Sequence, residues 1–140
     1  MDYLRVTYDI TMAVANTLVK INPGMTFIYV SGAGSDSTEI GKIMWARVKG
    51  KTENALLRLP FKAAYMFRPA FIQPLHGIVS KTKLYRVLYT ALGSLYPLWK
   101  VLFPNYVTTT EVVGRAMVKV AKNGAPKPIL ENQDINEIGL

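Results

Sequence analysis

The chain is predicted to be an α/β protein built on a parallel sheet, and three observations carry that reading. Short runs rich in β-branched and aromatic residues, TFIYVS at 26 to 31 and AAYMFRP at 63 to 69, are bounded by turn residues. Longer stretches of helical periodicity separate them. Such alternation suits parallel strands, because each needs a crossover to return the chain to the same end of the sheet. The third observation is size. A chain of 140 residues, 50% of them hydrophobic, has enough apolar surface for one core, so a single domain over 1–140 is expected.

Residues 3 to 21 are mostly apolar with good helix formers, and Asn22, Pro23 and Gly24 then stop a helix and open a turn. The 26 to 31 strand follows, and after it a polar, glycine-rich loop, GAGSDS. From about Gly41 to Leu59 the apolar positions Met44, Val48, Ala55 and Leu59 recur at helical spacing, with Lys42, Lys51 and Arg58 elsewhere on the wheel. Pro60 breaks that pattern. The 63 to 69 strand ends at Arg68-Pro69, and the loop beyond it holds Gln73, Pro74, His76 and Gly77. Loops at strand ends are common binding surfaces.

Between Lys83 and Phe103 a stripe of Leu84, Val87, Leu88, Ala91, Leu92, Leu95, Trp99 and Leu102 predicts an amphipathic helix kinked between Gly93 and Pro97. Arg86, Lys100 and Pro97 lie inside this window and weigh against a bilayer span. Its tyrosines, tryptophan and flanking lysines would still suit a membrane surface. Thr108 and Glu111 have capping-box spacing, Val112, Val113, Ala116, Met117 and Val120 supply a buried helix face, and Asn123-Gly124 closes it. PILE at 128 to 131 reads as a last short strand, and the remainder to Leu140 as polar and weakly specified.

The formal charge is +8, which suits an anionic partner. The basic residues are scattered rather than gathered into a patch, and no nucleic-acid-binding motif is present, so nucleic acid is not an expected partner. Without cysteine, disulfides, thiolate metal sites and thiol nucleophiles are excluded. One histidine is too few for most zinc geometries. The opening MDYLRVTYD lacks the basic and apolar regions of a secretory signal, and a cytoplasmic location is the default.

Five landmarks in order, covering nearly the whole chain, resemble the second half of an extended-type short-chain dehydrogenase/reductase. They are Tyr3-Leu-Arg-Val-Thr7, FIYVSGAG at 27 to 34, WARVKGKTE at 45 to 53, YMFRPAFIQP at 65 to 74 and TTTEVVGRAM at 108 to 117. The VKG run is also similar to the atypical branch that contains the Tat-interacting-protein-like oxidoreductases. The resemblance implies a partial Rossmann fold: a doubly wound parallel sheet lacking its amino-terminal βαβ units, with the 83 to 103 segment as a helical insertion on the substrate side.

It also implies chemistry. The family places a Tyr-x-x-x-Lys pair where Trp45 and Lys49 stand; the tyrosine is a general acid/base, and the lysine lowers its pKa and holds the nicotinamide ribose. The spacing has a physical reason, since residues four apart share a helix face and an ammonium favours phenolate. Lys49 is therefore a candidate for NAD or NADP binding, with a solvated ion pair to Glu53 as the alternative. Indole exchanges no proton near neutral pH, so Trp45 either lines the nicotinamide pocket or is a core aromatic.

Ser31 stands close to the expected position of the family's substrate-orienting serine, and Ser35 is a second candidate. A strand-end serine bonded to its own backbone is the other reading. Asp36 and Glu39 could supply a proton or be solvated loop carboxylates. Arg68 and Pro69 would shape the loop near the nicotinamide, although alanine stands at position 70 where the family often has glycine. Gln73 and His76 are expected on the substrate side.

No glycine-rich dinucleotide turn is present, since GAGSDS has the wrong spacing and follows the wrong strand. The reading is thus a truncated or split oxidoreductase or epimerase-like protein with impaired cofactor binding. Self-association, or pairing with a polypeptide that carries the missing half, is expected from an open strand edge. The alternatives are a non-catalytic dinucleotide-binding regulator and a peripheral membrane protein.

Overall fold

The computed structural model describes residues 2–76 and 83–140. A π-helical turn, Arg5–Asp9, leads into helix α1, Ile10–Ile21, and strand β1, Thr26–Val30. Helix α2, Met44–Arg58, then crosses to strand β2, Ala63–Arg68. A short strand β3, Phe71–Gln73, precedes helices α3, Lys83–Ser94, and α4, Tyr96–Leu102. After a 3-10 turn come strand β4, Val107–Thr109, helix α5, Thr110–Asn123, strand β5, Ile129–Glu131, and helix α6, Asn132–Gly139. The strands form a three-stranded parallel sheet of order β1-β2-β5 and a separate parallel pair, β3-β4.

Alternation along β2 builds two cores. Successive side chains of a strand point to opposite faces, so Met66 and Phe67, both fully buried, enter different layers. Phe67 joins Val113, Ala116 and Val120 of α5, Leu130 of β5 and Ile135 of α6. Met66 meets Ala15 of α1 and Leu56 of α2, with Phe27 and Tyr29 of β1 packed alongside. The predicted α/β architecture with a parallel sheet is therefore present, with α5 and α6 on one face and α1 and α2 on the other. Burial of each such large apolar side chain contributes about 1.5–3 kcal/mol.

The α2 face differs from the one its apolar residues suggest. Ala46, Gly50, Thr52, Glu53 and Leu56 are buried, whereas Met44 is exposed. Two polar side chains are tolerated inside because each finds a partner: Thr52 Oγ1 donates to the Val48 carbonyl at 2.7 Å, and Glu53 pairs with Arg68. The helix also carries the 31 to 43 loop on its flank. Asp36 N–H donates to the Ala46 carbonyl at 2.9 Å, and a Cβ at Gly50 would come within 1.7 Å of the Asp36 carbonyl oxygen. Only glycine admits this approach of loop to helix.

Four further expectations are corrected. Gln73 lies in a strand rather than a loop, and the pairs Phe71↔Val107, Ile72↔Thr108 and Gln73↔Thr109 form a second sheet that three-residue strands left unsignalled. The 83 to 103 segment is two helices divided at Leu95, not one kinked helix. Of its apolar stripe, Leu92 and Trp99 turn inward while Val87, Leu95 and Leu102 are exposed; the side chains of Leu84 and Leu88, like Gly77, lie outside the described residues. Among the described residues no helix is long and apolar enough to cross a membrane.

The cap of α5 is Thr109, whose hydroxyl accepts from Val112 N–H at 3.2 Å, one residue later than Thr108. Thr108 lies inside β4 and Thr109 is its last residue, next to the start of α5, and Glu111 pairs with Arg115 instead of reaching back. The tail is not weakly specified either. Glu131 and Asp134 form a reciprocal capping box that starts α6, and Ile135 enters the core.

Two glycine substitutions separate close packing from helix propensity. Gly50→Ala is expected to cost about 1–3 kcal/mol through the collision with the Asp36 backbone. Gly114→Ala, in the interior of α5 where a Cβ would meet nothing within 4 Å, is expected to gain about 0.5–1 kcal/mol. Urea denaturation followed by circular dichroism reads both.

Candidate functional site

Parallel strands bring their carboxyl ends to one rim, and most of the sequence-predicted site residues gather there. Ser31 follows β1, and its N–H donates to the Phe67 carbonyl of β2 at 2.8 Å. Two residues on, Ala33 N–H donates to the Pro69 carbonyl at 3.0 Å, which fixes the end of β2 against the loop after β1.

Both serines are nearly buried, at 7% and 8% exposure, and their hydroxyl oxygens are 2.8 Å apart. Ser35 Oγ also donates to the Gly32 carbonyl at 2.8 Å. A hydroxyl has one proton. With that of Ser35 spent on Gly32, Ser31 is the donor between the two, and a proton line runs from Ser31 to Ser35 to backbone. Ser31 Oγ keeps acceptor capacity, and it must turn away from Ser35 before it can donate to anything else. Both serines thus engage local partners, as strand-end serines often do.

Lys49 reaches into the same rim from α2. Its Nζ donates to the Ser31 carbonyl at 2.7 Å, and a Cβ on Gly32 would stand 3.2 Å from it. The ammonium is half-buried, and desolvation lowers its pKa against a smaller opposing pull from the Glu53 charge. One of its three N–H bonds is used on Ser31, which leaves two for an oxygen-rich ligand. The expected alternative, a solvated pair with Glu53, is overturned because Glu53 is fully buried and pairs with Arg68.

Trp45 is 39% exposed and so is not a core aromatic. Its ring edge approaches Gly34, whose φ of +83° belongs to the left-handed region. The indole therefore covers a glycine turn one helical turn before Lys49.

Arg68 organises what lies beneath. Its Nε donates to Glu53 Oε1 at 3.0 Å and its Nη2 to Glu53 Oε2 at 2.5 Å, a two-pronged contact. Nη1 reaches Glu131 Oε1 at 3.0 Å and Nη2 also reaches Ser37 Oγ at 2.7 Å. The pairing with Glu53 is the main cause of a guanidinium pKa raised above its ordinary value. Arg68 is thus a structural clamp, and the sequence reading missed Glu53 as its partner. The available signal was an acid four residues beyond Lys49 on a helix face that enters the core, since a buried charge requires a counter-charge.

The loop carboxylates are used locally. Asp36 accepts from Thr38 N–H, Thr38 Oγ1 and Gly41 N–H, and these bonds, that of Thr38 Oγ1 first, hold its pKa below the usual carboxylate range. Glu39 Oε1 accepts from Asn54 Nδ2 at 2.8 Å. Gln73 and His76 are held by other neighbours. Gln73 packs its carboxamide on Gly93 of α3, and His76 sits at φ +61° with its Nε2 3.9 Å from a Glu111 carboxylate oxygen. Among the described residues no group of three or more His, Asp or Glu is placed to hold a metal ion.

The clamp makes a measurable claim. Arg68→Met leaves Glu53 buried without its cation and is expected to cost about 3–5 kcal/mol, with a substantial part restored in the double variant Glu53→Met/Arg68→Met. Chemical denaturation of the single and double variants gives the coupling, and a double variant no more stable than the single one would show that the pair anchors nothing.

No protein-family model and no curated protein matches the chain, so the chemistry of this rim rests on its own geometry.

Proposed function

We propose that the chain acts as the nicotinamide-side portion of an NAD- or NADP-dependent oxidoreductase or epimerase-like protein of the short-chain dehydrogenase/reductase type. One observation carries the reading: Lys49 projects from the helix between two parallel strands to the carboxyl end of the first, with two N–H bonds unspent, beside the Ser31–Ser35 pair. In open α/β sheets ligands bind in the crevice outside the carboxyl ends of the strands. A ribose offers the hydroxyl oxygens that such an ammonium takes.

On this reading the sheet is part of a doubly wound Rossmann fold. β1 lies at one edge of the described sheet, and further parallel strands added at that edge would bring the pyrophosphate-binding turn that these residues lack. Contact confined to the nicotinamide side makes the isolated chain a weak binder. Ser31 accepts or donates at the substrate oxygen once it turns from Ser35, and Arg68-Pro69 holds the loop in place.

A second reading, a dinucleotide-binding protein without turnover, is favoured by Trp45. An indole on the helix face of Lys49 can line a pocket, but it cannot deliver a proton.

Two variants test these readings. Lys49→Met is expected to weaken NADPH binding by about tenfold or more, the usual loss for a hydrogen bond to a charged group; unchanged affinity in a folded variant removes the ribose role. Trp45→Tyr restores a group able to exchange a proton, and the oxidoreductase reading expects NADPH oxidation with a carbonyl panel to rise by about 100-fold or more. No turnover in either protein, with NADPH still bound, favours the second reading.

A further inference from the structure

Away from the rim, the β3–β4 pair and the two helices above it border a hollow that is open on one side. Its volume is about 340 Å³, and Phe71, Leu92, Trp99, Phe103, Tyr106 and Val107 line it. Phe71 and Val107 are register partners across the two strands, and parallel partners present their side chains to the same face. The break at Leu95 separates Leu92 on α3 from Trp99 on α4, so the two helices flank the space rather than fill it. The rings of Trp99 and Phe103 lie 5.6 Å apart at 34°. An apolar cavity of about 150 Å³ already takes up benzene, so this one has room for a fused two-ring molecule.

One polar atom of the lining, and a second on the neighbouring end of β3, have no hydrogen-bond partner. Trp99 Nε1, a donor, is buried and unpaired; Gln73 Oε1, an acceptor, is buried and unpaired too. Gln73 shares the inward face of β3 with Phe71, and its carboxamide rests on Gly93, the neighbour of the lining Leu92. Buried polar groups left unsatisfied cost free energy, and each one calls for an explanation.

We infer that this hollow is a binding site for a small apolar molecule carrying a hydroxyl group, which takes its hydrogen bond from the Trp99 indole. A hydroxyl both accepts and donates. Its oxygen answers Trp99 Nε1, and its proton is then available to Gln73 Oε1. The rings around it supply the apolar contact. The site needs no dinucleotide and stands whether or not the oxidoreductase reading holds.

The test compares two ligands of nearly equal shape, 2-naphthol and 2-methylnaphthalene, binding to the full chain without cofactor by equilibrium dialysis. Saturable binding of one naphthol per chain is expected, about tenfold tighter than that of the methyl compound, because only the naphthol satisfies the buried groups. Trp99→Phe keeps an aromatic ring and removes the donor, and it is expected to bring the two ligands within about threefold of each other. If that variant does not fold, Gln73→Leu is expected to narrow the same ratio. Equal affinities for the unmodified chain show an apolar space without hydroxyl recognition and overturn the inference. Absence of saturable naphthol binding, or a preference that survives Trp99→Phe, overturns it as well.

Discussion

Glu53 is fully buried, and in this fold a carboxylate out of water is acceptable only because Arg68 grips it with two N–H groups. The rest of the structure leans on that contact. Arg68 is the last residue of β2 and Glu53 lies in the third turn of α2, so the pair sets the helix against the carboxyl end of the sheet. The same guanidinium reaches Glu131 at the end of β5 and Ser37 in the loop after β1. Four segments distant in sequence thus share one cation. Such a pair gives modest net stability once desolvation is counted, but breaking it is costly, and this asymmetry makes it specify geometry.

Lys49 inherits its position from that clamp. It sits one turn before Glu53, so a helix held at Glu53 directs the Lys49 side chain toward the strand end, where the Ser31 carbonyl receives it. Gly50 completes the placement, because the loop that carries Ser31, Ser35 and Asp36 closes onto the helix where that residue lacks a Cβ. The desolvation borne by Lys49 is therefore a consequence of packing set elsewhere, compensated in part by the nearby negative charge of Glu53. A half-buried ammonium beside two coupled hydroxyls differs from a surface lysine in having its geometry fixed before any ligand arrives.

The β3–β4 unit joins this sheet through Asn132. The Asn132 Oδ1 atom accepts from Ala70 N–H at 3.0 Å, and its Nδ2 donates to the carbonyls of Asn105 and Val107 at 2.9 and 3.2 Å. A single buried amide at the start of α6 thereby connects the approach to β3 with the start of β4. Both short strands gain their register from it as well as from each other, which three residues alone would scarcely provide.

Local chemistry made much of the fold legible. β-branched and aromatic runs marked β1 and β2, the Val112 to Val120 spacing marked the inner face of α5, and Asn-Pro-Gly marked the end of α1. The clustering of Ser31, Trp45, Lys49 and Arg68 rested on a resemblance of landmarks, and the parallel pairing of β1 with β2 explains how they come to one rim. Other features had no local signature. Thr109 caps α5 because β4 ends there and the helix begins at the next residue, and α6 forms where an arginine and an amide from other segments fix the Glu131-Asn132 corner. The face of α2 was misread because three of its five buried positions are glycine, threonine and glutamate, whose burial no hydropathy pattern announces. What the sequence determined by itself was the set of elements whose stability is local. Tertiary structure decided which polar groups could be taken out of water, since a buried charge or amide is permitted only where partners remote in the chain arrive to meet it.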